Sequence, residues 1–120
     1  MDGTGAPAGR TVLVVEDEYF IAQDLVAMLL TIGIAVIGPA PTLAQARQIC
    51  DAAEAIDAAI LDVNLGGEMV WPLVDLLRAR GVPVVLATGY SDTAIPERYA
   101  GLPRCEKPTS LHDLARHLKL

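Results

Sequence analysis

Along the chain, short runs of β-branched and aliphatic residues alternate with stretches whose apolar positions recur every three or four residues. Thr11 to Val15 is a β-branched run that stops at the acidic triplet Glu16-Asp17-Glu18. Ile21, Leu25, Met28, Leu29 and Ile32 then recur at helical spacing, and Gly33 supplies the stop. Residues 34–37 predict a second strand closed by Gly38-Pro39. Thr42 with Gln45 three positions later has the form of a capping box and predicts a helix running to about Glu54.

The alternation continues through the second half. Residues 58–61 predict a third strand ending at Asp62, and a loop with Gly66-Gly67 leads into a helix carrying Leu73, Val74, Leu76 and Leu77. Pro72 is tolerable only in that helix's first turn. Residues 82–87 predict a fourth strand ending at Thr88-Gly89, and residues 102–105 a short fifth one. Ser110 caps a last helix with Leu111, Leu114, Ala115 and Leu118 on its inner face. Between Ser91 and Gly101, Pro96 and a weak apolar stripe predict a fourth helix that is short or irregular.

Strands alternating with helices imply right-handed crossovers and a parallel sheet covered on both faces, an α/β flavodoxin-like, doubly wound architecture of five strands. Composition agrees: 52% of the residues are apolar but only 4% aromatic, which suits a buried parallel sheet under Ala- and Leu-rich helices. At 120 residues the chain fits one domain, expected over residues 10–120, after a Gly/Pro/Ala-rich disordered leader over residues 1–9. No apolar run reaches the roughly 18 residues of a membrane span, and the first ten residues lack a signal-peptide core. The expectation is a cytoplasmic protein that does not engage membranes. A formal charge of −6 argues against nucleic acid as a partner. Cys50 and Cys105 lie far apart without ligand spacing and read as small buried thiols.

In a doubly wound sheet, ligands bind at the carboxyl ends of the strands. The polar residues fall there: Glu16 and Asp17 after the first strand, Asp62 after the third, Thr88 after the fourth, Lys107 after the fifth. Three carboxylates in one cleft repel one another unless a cation joins them. An all-oxygen set without His or Cys selects a hard cation, Mg²⁺ before Zn²⁺. Lys107 and the Thr88 hydroxyl on the opposite rim suit the oxygens of a phosphoryl group, with Asp62 as the nucleophile.

These segments resemble the response-regulator receivers of two-component signalling. The similarity rests on Val12-Leu-Val-Val-Glu-Asp-Glu18, Ala59-Ile-Leu-Asp-Val-Asn-Leu65, Ala87-Thr-Gly-Tyr90 and Glu106-Lys-Pro108, and covers about Arg10 to Leu120. It implies that Asp62 is the phosphoacceptor and Asp17 a direct Mg²⁺ ligand. Glu16 is then the second acidic residue, Asn64 offers its backbone carbonyl to the metal, and Thr88 and Lys107 are the switch hydroxyl and phosphate-binding lysine. It implies a cis Lys107–Pro108 bond as well. The partner it implies is a sensor histidine kinase meeting the first helix near Glu18 and Phe20. Asp62 to Glu68, Gly81-Val-Pro83 and Leu86 to Tyr90 further resemble the "FATGUY" receivers, often stand-alone proteins with an unusual fourth-helix region. Leu86 departs from that subgroup's Phe, Arg104 stands where a switching aromatic is common, and Thr109 follows where Phe is common.

Two other classes fit less well. Phosphatase-like hydrolases carry an Asp-x-Asp nucleophile after the first strand, whereas Asp62-Val-Asn64 follows the third. A flavodoxin-type nucleotide site needs a phosphate loop where Glu16-Asp17-Glu18 stands. The chain is therefore expected to be a switching module and not an enzyme, beyond catalysing its own phosphorylation and dephosphorylation.

Overall fold

A computed structural model of the chain describes residues 10–53, 55–89, 95–107 and 109–118. Five parallel strands form one sheet in the order β2-β1-β3-β6-β7: β1 Thr11–Val15, β2 Ala35–Ala40, β3 Ala58–Asp62, β6 Val84–Thr88 and β7 Arg104–Glu106. Helices α1 Tyr19–Thr31, α2 Leu43–Ala52, α3 Trp71–Ala79 and α4 Leu111–Leu118 connect and cover them. The flavodoxin-like α/β architecture read from the sequence is the one observed. The leader, Glu54, residues 90–94 and the Lys107–Pro108 bond lie outside the described residues.

Successive residues of the central strands face opposite layers, and both layers are apolar. Leu13, Val15, Leu61 and Leu86 pack with α2 and α3, while Val12, Val14, Ile60 and Val85 pack with Leu25 and Leu29 of α1 and Leu114 and Leu118 of α4. This is why the central strands read as unbroken apolar runs. Cys50 and Cys105 are buried free thiols, as expected.

The local stop and start signals act as the sequence implies. Gly33, at φ +82°, ends α1, with the Gly33 and Ile34 N–H groups donating to the Leu30 and Leu29 carbonyls. Thr42 accepts the Gln45 N–H at 3.1 Å, and Ser110 accepts that of Asp113 at 3.1 Å. Pro72 sits in the first turn of α3.

Four boundaries differ. β2 does not close at Gly38-Pro39; it runs through a cis Gly38–Pro39 bond to Ala40. An edge strand tolerates the missing proline N–H, and Gly38 is at φ +98° where a Cβ would lie 2.6 Å from the Val14 carbonyl oxygen. The strands β6 and β7 each begin two residues later than expected. The Gly66-Gly67 loop is the turn of a small antiparallel hairpin, β4 Asn64–Leu65 with β5 Glu68–Met69, both glycines having positive φ. Where a fourth helix was expected to be short or irregular, the described part of that segment holds a 3₁₀ turn, Glu97–Tyr99.

Candidate functional site

The register of the sheet sets the site. β3 and β6 pair with Asp62 opposite Ala87, and β6 and β7 pair with Thr88 opposite Glu106, so Asp62, Thr88 and Lys107 emerge at one end of adjacent strands. Glu16 and Asp17 leave β1 at the same end. The Glu16 N–H donates to Ala40 at 3.0 Å, so the unexpected extension of β2 fixes the start of the acidic triplet. The Lys107 N–H donates to the Thr88 carbonyl at 2.8 Å, which ties the lysine and the hydroxyl residue to each other through their backbones.

Glu16, Asp62 and Thr88 are the buried polar residues of the described chain, at 2%, 5% and 8% exposure, whereas Asp17 is exposed. One carboxylate oxygen from each of Glu16, Asp17 and Asp62 lies within 4.8 Å of the others. Lys107 bridges the two buried ones, its Nζ 2.9 Å from Glu16 Oε1 and 3.1 Å from Asp62 Oδ1. The Glu16 Oε2 atom accepts the Glu18 N–H at 3.1 Å, at the entrance to α1.

Two buried carboxylates and one ammonium leave negative charge uncompensated. Burial first, and the Glu16 carboxylate second, push the Asp62 carboxyl up to about 7 despite Lys107. Burial by itself would lower the Lys107 ammonium, yet Glu16 and Asp62 hold it above its ordinary value. A divalent cation with oxygen preference fits this donor set, because it would offset the repulsion that Lys107 leaves.

Asn64 is held on both sides of its peptide. Its N–H points to Asp62 Oδ1 at 3.4 Å, and its side-chain Oδ1 accepts the Gly67 N–H at 2.6 Å, pinning the β4–β5 hairpin beside the acidic cluster. A Cβ on Gly66 would lie 3.7 Å from Asp17 Oδ2, so the hairpin turn borders that carboxylate.

The structure thus brings together Glu16, Asp17, Asp62, Asn64, Thr88 and Lys107. Glu18, the N-cap of α1, and Phe20, in its first turn, are both exposed. Phe20 and Tyr19 are 77% and 68% exposed and meet edge to face at 5.3 Å. Met69 is 37% exposed on the hairpin. Sequence reasoning missed Ala40, which aligns Glu16 through its carbonyl, and Tyr99, which packs against α3; neither carries a local motif.

With this geometry in place, the chain can be set beside known proteins. No protein-family model matches it. Over 96 residues it is 34% identical to the phyllosphere-induced regulator PhyR of Methylorubrum extorquens, covering 78% of this chain and 34% of PhyR. The chain therefore spans about a third of the length of that curated relative. Among solved structures, SdrG from Sphingomonas melonis Fr1 is 37% identical with a TM-score of 0.85, covering 96% of this chain and 97% of SdrG.

The chain belongs to the response-regulator receiver family. The receiver domain of the TMAO respiratory system response regulator TorR, 28% identical, superposes with a TM-score of 0.77 over 92% of this receiver and 93% of its own length. The BeF₃-activated conformation of SdrG, 38% identical, gives 0.72 over 93% and 95%. Receivers are signalling domains of two-component systems, and the acidic cluster of this one stands where its fold gathers strand ends. Among the described residues no helix is long and apolar enough to cross a membrane.

Proposed function

We propose that this receiver accepts a phosphoryl group on Asp62, with Mg²⁺ bound by Asp17, Asp62 and the Asn64 backbone carbonyl, and Glu16 completing the acidic wall. The observation that carries the reading is the pair of buried carboxylates, Glu16 and Asp62, bridged by Lys107 with Asp17 alongside. Bound Mg²⁺ supplies charge neutralisation for the phosphoryl oxygens.

The phosphodonor is a phosphohistidine of a sensor kinase. An Asp62 carboxylate oxygen attacks phosphorus, the new O–P bond forms as the N–P bond breaks, and the imidazole leaves with the N–P electron pair. Lys107 then exchanges part of its contact with Asp62 for a phosphoryl oxygen, and the Thr88 hydroxyl donates to another. The product is an acyl phosphate whose phosphoryl oxygens carry negative charge beside Glu16 and Asp17, so Lys107 and the bound cation offset that charge. The kinase meets the exposed first turn of α1 through Glu18 and Phe20. The conformational readout is protein contact, in the cytoplasm, in the manner of a FATGUY-type receiver.

The direct test is incubation with a small phosphodonor and Mg²⁺, reductive trapping, and mass spectrometry to locate the modified residue. Label is expected on Asp62 alone and lost in Asp62→Asn. Undiminished label in that variant would overturn the assignment.

A further inference from the structure

Trp71 opens α3 and Tyr99 closes the 3₁₀ turn, and their rings stack with centroids 4.5 Å apart and planes 9° from parallel. Tyr99 is 2% exposed, although its neighbours Glu97, Arg98 and Ala100 are all exposed. Its hydroxyl donates to Asp75 Oδ1 at 2.8 Å. Arg98 Nη2 donates to Asp75 Oδ2 at 2.9 Å and also to the Tyr99 hydroxyl, while its guanidinium carbon stands 4.7 Å from the Tyr99 ring centroid. Trp71 and Asp75 are four residues apart on α3 and so share one face. A turn of three residues therefore grips one helix face by a ring stack, a hydrogen bond and an ion pair.

The position of this grip matters more than its strength. α3 follows the hairpin that carries Asn64, and the Val70 N–H donates at 3.0 Å to Val63, the residue after Asp62. The 3₁₀ turn lies between β6, which ends at Thr88, and β7, which leads to Lys107. The contact thus joins the stretch of chain that leaves the site after Asp62 to the one that leaves it after Thr88.

We infer that Tyr99 is an autoinhibitory clasp, holding residues 95–101 against α3 in the resting state, and that the phosphorylated state is reached by releasing it. The inference rests on Asp62 being the phosphoacceptor. The clasped arrangement superposes better on SdrG than on its BeF₃-activated conformation. The exposed Arg98–Asp75 pair contributes least, since solvent screens it. The stack and the Tyr99 hydroxyl bond carry the clasp. A contact made only in the resting state works against any ligand selecting the other state, so its loss raises that ligand's apparent affinity by the same factor.

The experiment titrates the full chain, in Mg²⁺, with beryllofluoride as phosphoryl mimic. Fluorine NMR reads occupancy, and the emission of Trp71, the chain's single tryptophan, reads the clasp. In the unmodified protein Trp71 emission is expected to change in step with occupancy. Tyr99→Phe, which keeps the ring and the fold, and Asp75→Ala are expected to bind the mimic about 2- to 10-fold more tightly, the worth of one hydrogen bond. Affinity unchanged or weakened in both variants, or Trp71 emission indifferent to occupancy, would overturn the clasp. Absence of bound fluorine signal in every protein would remove the phosphoacceptor reading itself, and the clasp with it.

Discussion

Lys107 stands 2.9 Å from Glu16, a carboxylate that is 2% exposed. The lysine is thus a structural counter-ion before it is anything else, and any phosphoryl group that takes up its charge does so in competition with Glu16 and Asp62.

Removing that ammonium should be costly. Lys107→Met is expected to destabilise the metal-free protein by about 3–5 kcal/mol, the usual cost of leaving a buried charge without its partner. The loss should be smaller in Mg²⁺, because the cation replaces part of the missing charge. Denaturant unfolding in EDTA and in Mg²⁺ measures both, and equal losses would separate Lys107 from the metal.

Stability should also depend on pH in an unusual direction for a carboxylate. The folded Asp62 carboxyl is pushed up to about 7 from an ordinary 3.8, so the folded state binds its proton more tightly than the unfolded state does. Its contribution is fully present below pH 3.8 and is lost as pH rises towards and through about 7. Lys107 is raised above 10.5, so its contribution changes only in more alkaline solution. Metal-free unfolding free energies between pH 5 and 8 are expected to show a falling component that Asp62→Asn abolishes.

Asp17 differs from Glu16 in being exposed, which makes it the carboxylate best placed to hold a cation without a burial cost. Saturating Mg²⁺ should raise the melting temperature of the unmodified protein by ligand linkage, and Asp17→Asn should lose most of that rise. Thermal melts across a Mg²⁺ series decide it, and an equal rise in both proteins would remove Asp17 from the ligand set.

Gly38 has no room for a side chain. Gly38→Ala places a Cβ 2.6 Å from the Val14 carbonyl oxygen at a φ of +98°, and should cost about 2 kcal/mol or more. Because the strand it would displace carries Ala40, the partner of the Glu16 N–H, Mg²⁺ binding should weaken along with the fold. Calorimetric titration of the folded variant at low temperature reads the second effect.

Most of the candidate site was legible because its residues stand at strand ends, where a parallel sheet leaves polar groups no other place to be. Asp62, Thr88 and Lys107 needed only the strand order to converge. The extension of β2 was not legible, since Gly-Pro ordinarily stops a strand, and it continues here only because β2 lies at an edge and Gly38 lacks a Cβ. Tyr99 was invisible for a different reason. Its neighbours Pro96, Glu97 and Arg98 are polar or helix-breaking, and its burial is conferred by Trp71 and Asp75 from a distant helix. The hairpin after Asp62 read as a loop because two residues per strand are too few to show alternation.

The proline in β2 has one more consequence. Its strand forms one margin of the sheet, and Pro39 interrupts the row of N–H donors a second chain would need in order to add on. At the other margin β7 is three residues long and is preceded by Pro103. Both borders are therefore poor templates for strand addition. Protein contacts are expected across the helices and the loops at the carboxyl end of the sheet, and crowding of many copies is not expected to stitch them edge to edge.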